Sequence, residues 1–205
     1  MTKRPVLILS SWGAGAGVVN AFLGECGAYL CPPFSPATNP KQITSESLHF
    51  RGIVAATIDE DTFEFKADAN IFRQGFKRWY AQELAKLDEV GKTRISLMYP
   101  LSAFLLHEIF QVVNPLVVVI TRPYQDIEKT RIQMGNPELR GKAGATRIYN
   151  QIFSYLVDNN RTFLTLSFSE FMKSEEARLK LLDYCDLNVE DPVANKAFVK
   201  IRSEN

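Results

Sequence analysis

The sequence is poor in the residues that would tie it to a metal or a disulfide. Its three cysteines (Cys26, Cys31, Cys185) are an odd number with no C-x-x-C pair, and its two histidines, His49 and His107, lie far apart. Neither a disulfide framework nor a zinc site follows from that spacing, and no metal is expected. The cysteines are predicted to be ordinary buried thiols. A surplus of one charge is missing too. The 24 Lys and Arg against 23 Asp and Glu leave a net charge of +1, which argues against a nucleic-acid partner. Long apolar runs are also lacking. Val6–Leu9, behind Thr2-Lys3-Arg4, imitates a signal peptide but breaks at Ser10-Ser11. No stretch approaches the ~18 apolar residues of a membrane span, so a soluble, cytoplasmic protein is expected. With 46% hydrophobic and 23% charged residues, disorder, collagen-like and coiled-coil classes are excluded. A chain of 205 residues predicts one domain, 1–205, large enough for a proper core.

Four short aliphatic runs, Pro5–Leu9, Ile95–Tyr99, Leu116–Ile120 and Thr162–Leu166, fit strands buried on both faces. Helical spacing separates them. Val19, Phe22, Leu23 and Cys26 make one stripe, and Ile71, Phe72, Phe76, Trp79 and Tyr80 make another. Leu101–Val113, Asp126–Met134, Thr146–Val157 and Glu175–Cys185 are further predicted helices. Strands alternating with helices imply an α/β fold, a mainly parallel sheet covered on both sides. Residues 31–66, rich in proline, serine and threonine, are predicted to be a loop or lid holding a helix at Glu46–Ile58. Within it, Pro32–Thr44 is expected to be a mobile cover. The polar tail at Arg202–Asn205 is expected to fray.

Ligands of open α/β sheets bind beyond the carboxyl ends of the strands. There, Ser10-Ser11-Trp12-Gly13-Ala14-Gly15-Ala16-Gly17 follows a strand and opens a helix. Gly13, Ala14, Gly15, Ala16 and Gly17 let successive N–H groups curl around an anion, helped by the helix N-terminus. The loop is not a Walker A motif, because no lysine lies between Arg4 and Lys41, and it does not fit G-x-G-x-x-G. Arg122 ends the Leu116–Ile120 strand, where its fork can grip a phosphate, and Thr130 lies about two helical turns further on. Ser167-Phe168-Ser169-Glu170 fits a helix capping box. Trp12, Trp79 and Tyr80 could stack on a base, but aromatics at helical spacing are usually core. His107, within an apolar helix, is predicted to be a core histidine.

The order of these pieces resembles the sulfotransferase family, in particular its compact bacterial and marine members. Pro5–Ala28 is similar to the family's strand, phosphosulfate loop and first helix. Asn39–Ile58, with Asn39-Pro40 and His49-Phe50, is similar to its acceptor side, and Ser96–Leu106 to the segment of its K-x-P element. Val117–Arg131 resembles the segment that holds the 3′-phosphate of 3′-phosphoadenylyl sulfate, and Thr165–Met172 its F-E-D-L strand end. The resemblance implies a P-loop-type, sulfotransferase-like topology with three α/β/α layers. It also implies sulfuryl transfer from that donor to a hydroxyl or amine of a small-molecule or carbohydrate acceptor. Gly13–Gly17 would hold the phosphosulfate, Arg122 and Thr130 the 3′-phosphate, and His49 or Glu46 would serve as general base.

Three charged groups of the family pattern are missing or reversed. Ala14 stands at the loop's cation and Gly17 at its hydroxyl; Arg51 falls on an acidic position and Met98 on the K-x-P lysine. Arg51, Lys92 and Arg94 are the expected replacement cations. These departures keep a second function open, a non-catalytic binder of a nucleotide or another anion. A nucleotide or nucleoside kinase is weaker, since nothing in the loop would hold β/γ-phosphates and magnesium.

Overall fold

Val6-Leu7-Ile8-Leu9 is aliphatic at every position, and all four residues are fully buried as strand β1 (Val6–Leu9). A strand buried on both faces needs helices above and below it. The computed structural model describes residues 4–36 and 45–203 and places them so. The strands are β1, β2 (Ala28–Tyr29), β3 (Arg94–Met98), β4 (Leu116–Thr121) and β5 (Phe163–Ser167). They form one parallel sheet in the order β2-β3-β1-β4-β5. Val6 pairs with Ser96 on one side and Leu116 on the other, and Val117 pairs with Phe163.

The sheet separates two apolar clusters, and the two-residue period of the strands assigns side chains to each. Leu7, Leu9, Val117 and Val119 face one; Val6, Ile8, Val118 and Ile120 face the other. The first is closed by α2 (Leu48–Ala55), α3 (Ala69–Lys86), α4 (Leu106–Val112), α5 (Tyr124–Gln133) and α6 (Lys142–Asp158). The second is closed by α1 (Ala16–Glu25), α7 (Phe168–Lys173), α8 (Glu175–Tyr184) and α9 (Asp191–Ser203). The fold is a three-layer α/β/α sandwich.

Helix starts follow local chemistry. Ser47, Asp68, Ser167 and Ser174 cap α2, α3, α7 and α8 by accepting N–H bonds from Phe50, Asn70, Glu170 and Ala177, each worth ~1 kcal/mol. The expected lid helix Glu46–Ile58 is shortened to α2 because Ser47 occupies the cap. Phe50 fixes α2 on α3, its ring 5.8 Å from Phe76 and 5.7 Å from Trp79. Trp79 and Tyr80 are therefore core residues. Asn39-Pro40 and most of the expected cover, at 37–44, lie outside the described residues.

Several expectations are corrected. The predicted helix Leu101–Val113 begins as a 3₁₀ segment, Pro100–Leu105, and turns α-helical only at Leu106. That change of pitch carries His107 outward. It is exposed rather than in the core, and its ring nitrogen lies 2.6 Å from the Gln111 side-chain amide. The chain near the C-terminus forms α9, with Ala194, Ala197, Phe198 and Ile201 buried. The cysteines are free and buried, and burial pushes the thiols of Cys26 and Cys185 up to about 11 and 12, which suits inert packing residues.

Candidate active site

In the strand order β2-β3-β1-β4-β5, the chain leaves β1 toward one edge and leaves β4 toward the other. Their carboxyl ends therefore bound a crevice at the topological switch point. The β1 exit is the glycine loop. Gly13 (φ 71°) and Gly15 (φ 90°) are left-handed, and a Cβ on Gly15 would lie 2.2 Å from the Phe168 ring. Only glycine allows that turn. The N–H groups of Gly13, Gly15, Ala16 and Gly17 find no backbone acceptor among the described residues. Unlike α2, α3, α7 and α8, α1 has no side-chain cap, and its first turn holds no acidic residue. Its N-terminus keeps the positive end of the helix dipole for an anion.

Arg122, at the end of β4, reaches across the crevice. Its Nη1 donates to the Gly13 carbonyl at 2.9 Å and to Thr130 Oγ1 at 3.4 Å, and its guanidinium lies 5.5 Å over the Phe168 ring. Thr130 Oγ1 in turn donates to the Asp126 carbonyl at 2.9 Å. The expected pair, Arg122 and Thr130, is thus brought together against the expected loop. Ala14, at the position of the loop's missing cation, is fully buried in the first apolar cluster. A methyl with no charge to solvate stays in the core.

A second group of charges gathers where β3 ends. Ser45 anchors the segment to α1, its Oγ donating to the Gly17 carbonyl at 2.8 Å and its carbonyl accepting from Asn20 at 2.6 Å. The next residue, Glu46, accepts from Ser35 Oγ at 3.2 Å and lies 3.7 Å from Arg51 Nη1. Arg51 grips Glu60 with both arms, Nε at 3.0 Å and Nη2 at 2.8 Å, and sits 5.8 Å over the Tyr99 ring. Tyr99 donates its hydroxyl to Glu60 at 2.6 Å. Arg140, from the turn before α6, approaches Glu60 at 3.5 Å and lies 5.5 Å over Trp12. Trp12 stacks on Phe63 at 5.5 Å and immediately precedes Gly13, so the charged cluster and the glycine loop adjoin.

The two carboxylates are driven apart. Burial holds the Glu46 carboxyl above the usual range, with Arg51 and Ser35 only partly offsetting it. Burial also acts on Glu60, but its hydrogen bonds from Arg51 and Tyr99 outweigh it and keep Glu60 below that range. Such a split separates a proton acceptor from a permanently charged partner. Burial also raises the Tyr99 phenol, with the Glu60 bond adding to it, so Tyr99 stays a donor.

His49 is exposed on α2 and has no hydrogen-bond partner among the described residues. Two expected replacement cations are in the wrong place. Lys92 donates to the Gly24 carbonyl at the far end of α1, and Arg94, opening β3, bonds to the Arg4 carbonyl and Asp186. Both lie at the amino end of the sheet, opposite the loop. Arg51 is near the site but spent on carboxylates. Glu60, Tyr99 and Arg140 were not anticipated; the acidic run Asp59-Glu60-Asp61 inside the lid was the one available signal. Among the described residues no cluster of His, Cys, Asp or Glu could hold a metal, and no helix is long and apolar enough to cross a membrane.

The architecture is that of a sulfotransferase-like α/β fold. It matches the sulfotransferase domain from the curacin biosynthetic pathway (TM-score 0.59, 15% identity, 93% of this chain and 76% of that one). It matches the sulfotransferase domain of the Synechococcus PCC 7002 olefin synthase comparably (0.55, 17%, 93% and 77%). Sulfotransferase STF1 from Mycobacterium tuberculosis H37Rv is a third (0.54, 13%, 97% and 71%). No family model matches the sequence, and no curated protein matches it significantly. At these identities the likeness is one of fold.

Proposed function

We propose that this protein transfers a sulfuryl group from 3′-phosphoadenylyl sulfate to a hydroxyl or amine of a small-molecule or carbohydrate acceptor. The observation that carries the reading is Arg122, held between Gly13 and Thr130 at the switch point, beside a helix N-terminus with unspent N–H groups. Two anion-binding elements thereby sit side by side, as a donor with a 3′-phosphate and a 5′-phosphosulfate requires. Gly13, Gly15, Ala16 and Gly17 bind the phosphosulfate by backbone N–H groups, while Ala14, whose N–H is donated to the Ser11 carbonyl at 3.4 Å, shapes the turn; Arg122 and Thr130 bind the 3′-phosphate. Glu46 takes the acceptor proton, its burial making it a stronger base than an ordinary carboxylate. The acceptor oxygen or nitrogen bonds to sulfur while the bond from sulfur to the 5′-phosphate oxygen breaks. The electron pair leaves on that oxygen as adenosine 3′,5′-bisphosphate. Glu60 stays ionised and holds Arg51 and Tyr99 in place. His49, exposed one turn from Glu46, is the alternative base.

A second reading, a non-catalytic binder of the same anions, is favoured by the buried Ala14 and the absence of lysine in the loop. Both readings require binding of adenosine 3′,5′-bisphosphate; they part at the donor. Release of that bisphosphate from 3′-phosphoadenylyl sulfate, faster with an acceptor hydroxyl present and lost in Glu46→Gln, is expected for the transferase. Tight binding with no release would leave the binder.

A further inference from the structure

The glycine loop lacks a cation, yet a sulfuryl group in transfer develops negative charge on the oxygen it leaves, and one lost donor there costs about 10²–10³ in rate. The charge must come from outside the loop. We propose that Arg140 supplies it, its guanidinium binding the anionic 5′ end of the donor over the indole of Trp12; this rests on the function proposed above.

Position comes first. Arg140 closes the 3₁₀ turn Glu138–Arg140, and its guanidinium carbon lies 5.5 Å over the ring of Trp12, the residue before Gly13. Arg122 grips the carbonyl of Gly13 itself, so the two guanidinium groups flank the start of the loop. The turn is fixed from beneath. A Cβ on Gly144 would fall 1.7 Å from the Leu139 carbonyl, so glycine there allows the turn to seat on α6.

Unspent hydrogen-bonding capacity comes second. A guanidinium carries five N–H donors. Arg140 makes one long contact, 3.5 Å to Glu60, and its Nε is buried with no partner among the described residues. A buried donor left without an acceptor is uncommon in native proteins. The neighbouring cations are committed elsewhere: Arg51 to Glu60 and Glu46, Arg147 to the Thr62 carbonyl, and Arg122, held by Gly13 and Thr130, to the 3′-phosphate proposed above. Glu60 already has Arg51 and Tyr99 as close donors, so Arg140 can turn toward a stronger anion without stranding that carboxylate. The face of Trp12 keeps the guanidinium desolvated and oriented while it does so.

Calorimetry on the whole chain with two probes tests this. Adenosine 3′-monophosphate carries only the phosphate assigned to Arg122; 3′-phosphoadenylyl sulfate carries the 5′ anion as well. Arg140→Met is expected to bind the monophosphate as wild type does, to bind the phosphosulfate more weakly, and to discharge it about 10²-fold more slowly or worse. Arg122→Met is expected to weaken both ligands. Arg140→Gln, neutral but still a donor, carries the same expectation should the methionine variant not fold. If either folded Arg140 variant binds and discharges the phosphosulfate as wild type does, the role of Arg140 is overturned while the proposed function stands. If wild type binds neither probe, the proposed function falls and this inference falls with it.

Discussion

Placing a lysine at Ala14 restores, on paper, the cation of a phosphosulfate loop. Its side chain, however, is fully buried in the cluster that contains Leu9, Tyr99 and Phe63. Enlarging a packed site costs about 1–3 kcal/mol in strain. An ammonium without a counter-charge adds an effective penalty of several kcal/mol. A combined loss of at least ~4 kcal/mol is a large part of the 5–15 kcal/mol of a typical domain. At about 2–4 °C per kcal/mol for a chain of this length, Ala14→Lys should melt roughly 8–16 °C below wild type. Thermal denaturation followed by circular dichroism measures this, with Ala14→Ser as a small control. Donor affinity of the lysine variant, measured below its melting point, should not rise. A lysine variant that melts within ~2 °C of wild type and binds the phosphosulfate more tightly would refute the reasoning. It would mean that the Ala14 side chain can reach the anion, and Arg140 would not be needed.

Glu46→Gln should abolish acceptor-dependent transfer while leaving bisphosphate affinity nearly unchanged. In wild type the acid limb of the rate profile should lie above the ordinary carboxylate range, because burial raises Glu46 and the base works only once deprotonated; a limb at or below that range would remove Glu46 from the role. Glu60 should behave oppositely in stability. Its folded value is lowered, so its stabilising contribution is present above the ordinary value of 4.5 and is lost as pH falls through the folded value. Chemical denaturation of wild type and Glu60→Gln should therefore show a gap that is widest near neutral pH and closes in acid, and a gap independent of pH would contradict the assignment.

The sheet was legible because β1, β3 and β4 are apolar-rich runs that the fold buries on both faces; β5, expected to be buried likewise, is an edge strand, with Thr165 exposed and only Leu166 buried. β2, at two residues, is too short to leave a periodic signal. α9 did leave one, since Ala194, Ala197, Phe198 and Ile201 stand at i, i+3, i+4 and i+7. His107 misled because Leu101, Leu105, Leu106 and Ile109 surround it with apolar residues, while the 3₁₀ segment before it has three residues per turn and resets which face turns inward. The glycine loop and Arg122 were legible because each is defined by the end of its own strand. Arg140 and Glu60 were not, because 80 residues separate them and only the docking of the turn before α6 brings Arg140 to both Glu60 and Trp12. Lys92 and Arg94 were plausible by charge alone, and the parallel sheet puts both at the end remote from the loop.

The central claim is that the crevice between β1 and β4 binds an adenosine carrying separated anions. Titration with adenosine 3′,5′-bisphosphate, read by calorimetry and by thermal shift, tests it most directly. Saturable one-site binding is predicted, with about 2.7 kcal/mol of stabilisation at 100 times the dissociation constant. For a chain of this length that is a rise of roughly 5–11 °C. Arg122→Met should remove most of the rise while leaving the unliganded melting point nearly unchanged. No heat and no shift for the wild type at millimolar ligand would contradict the account.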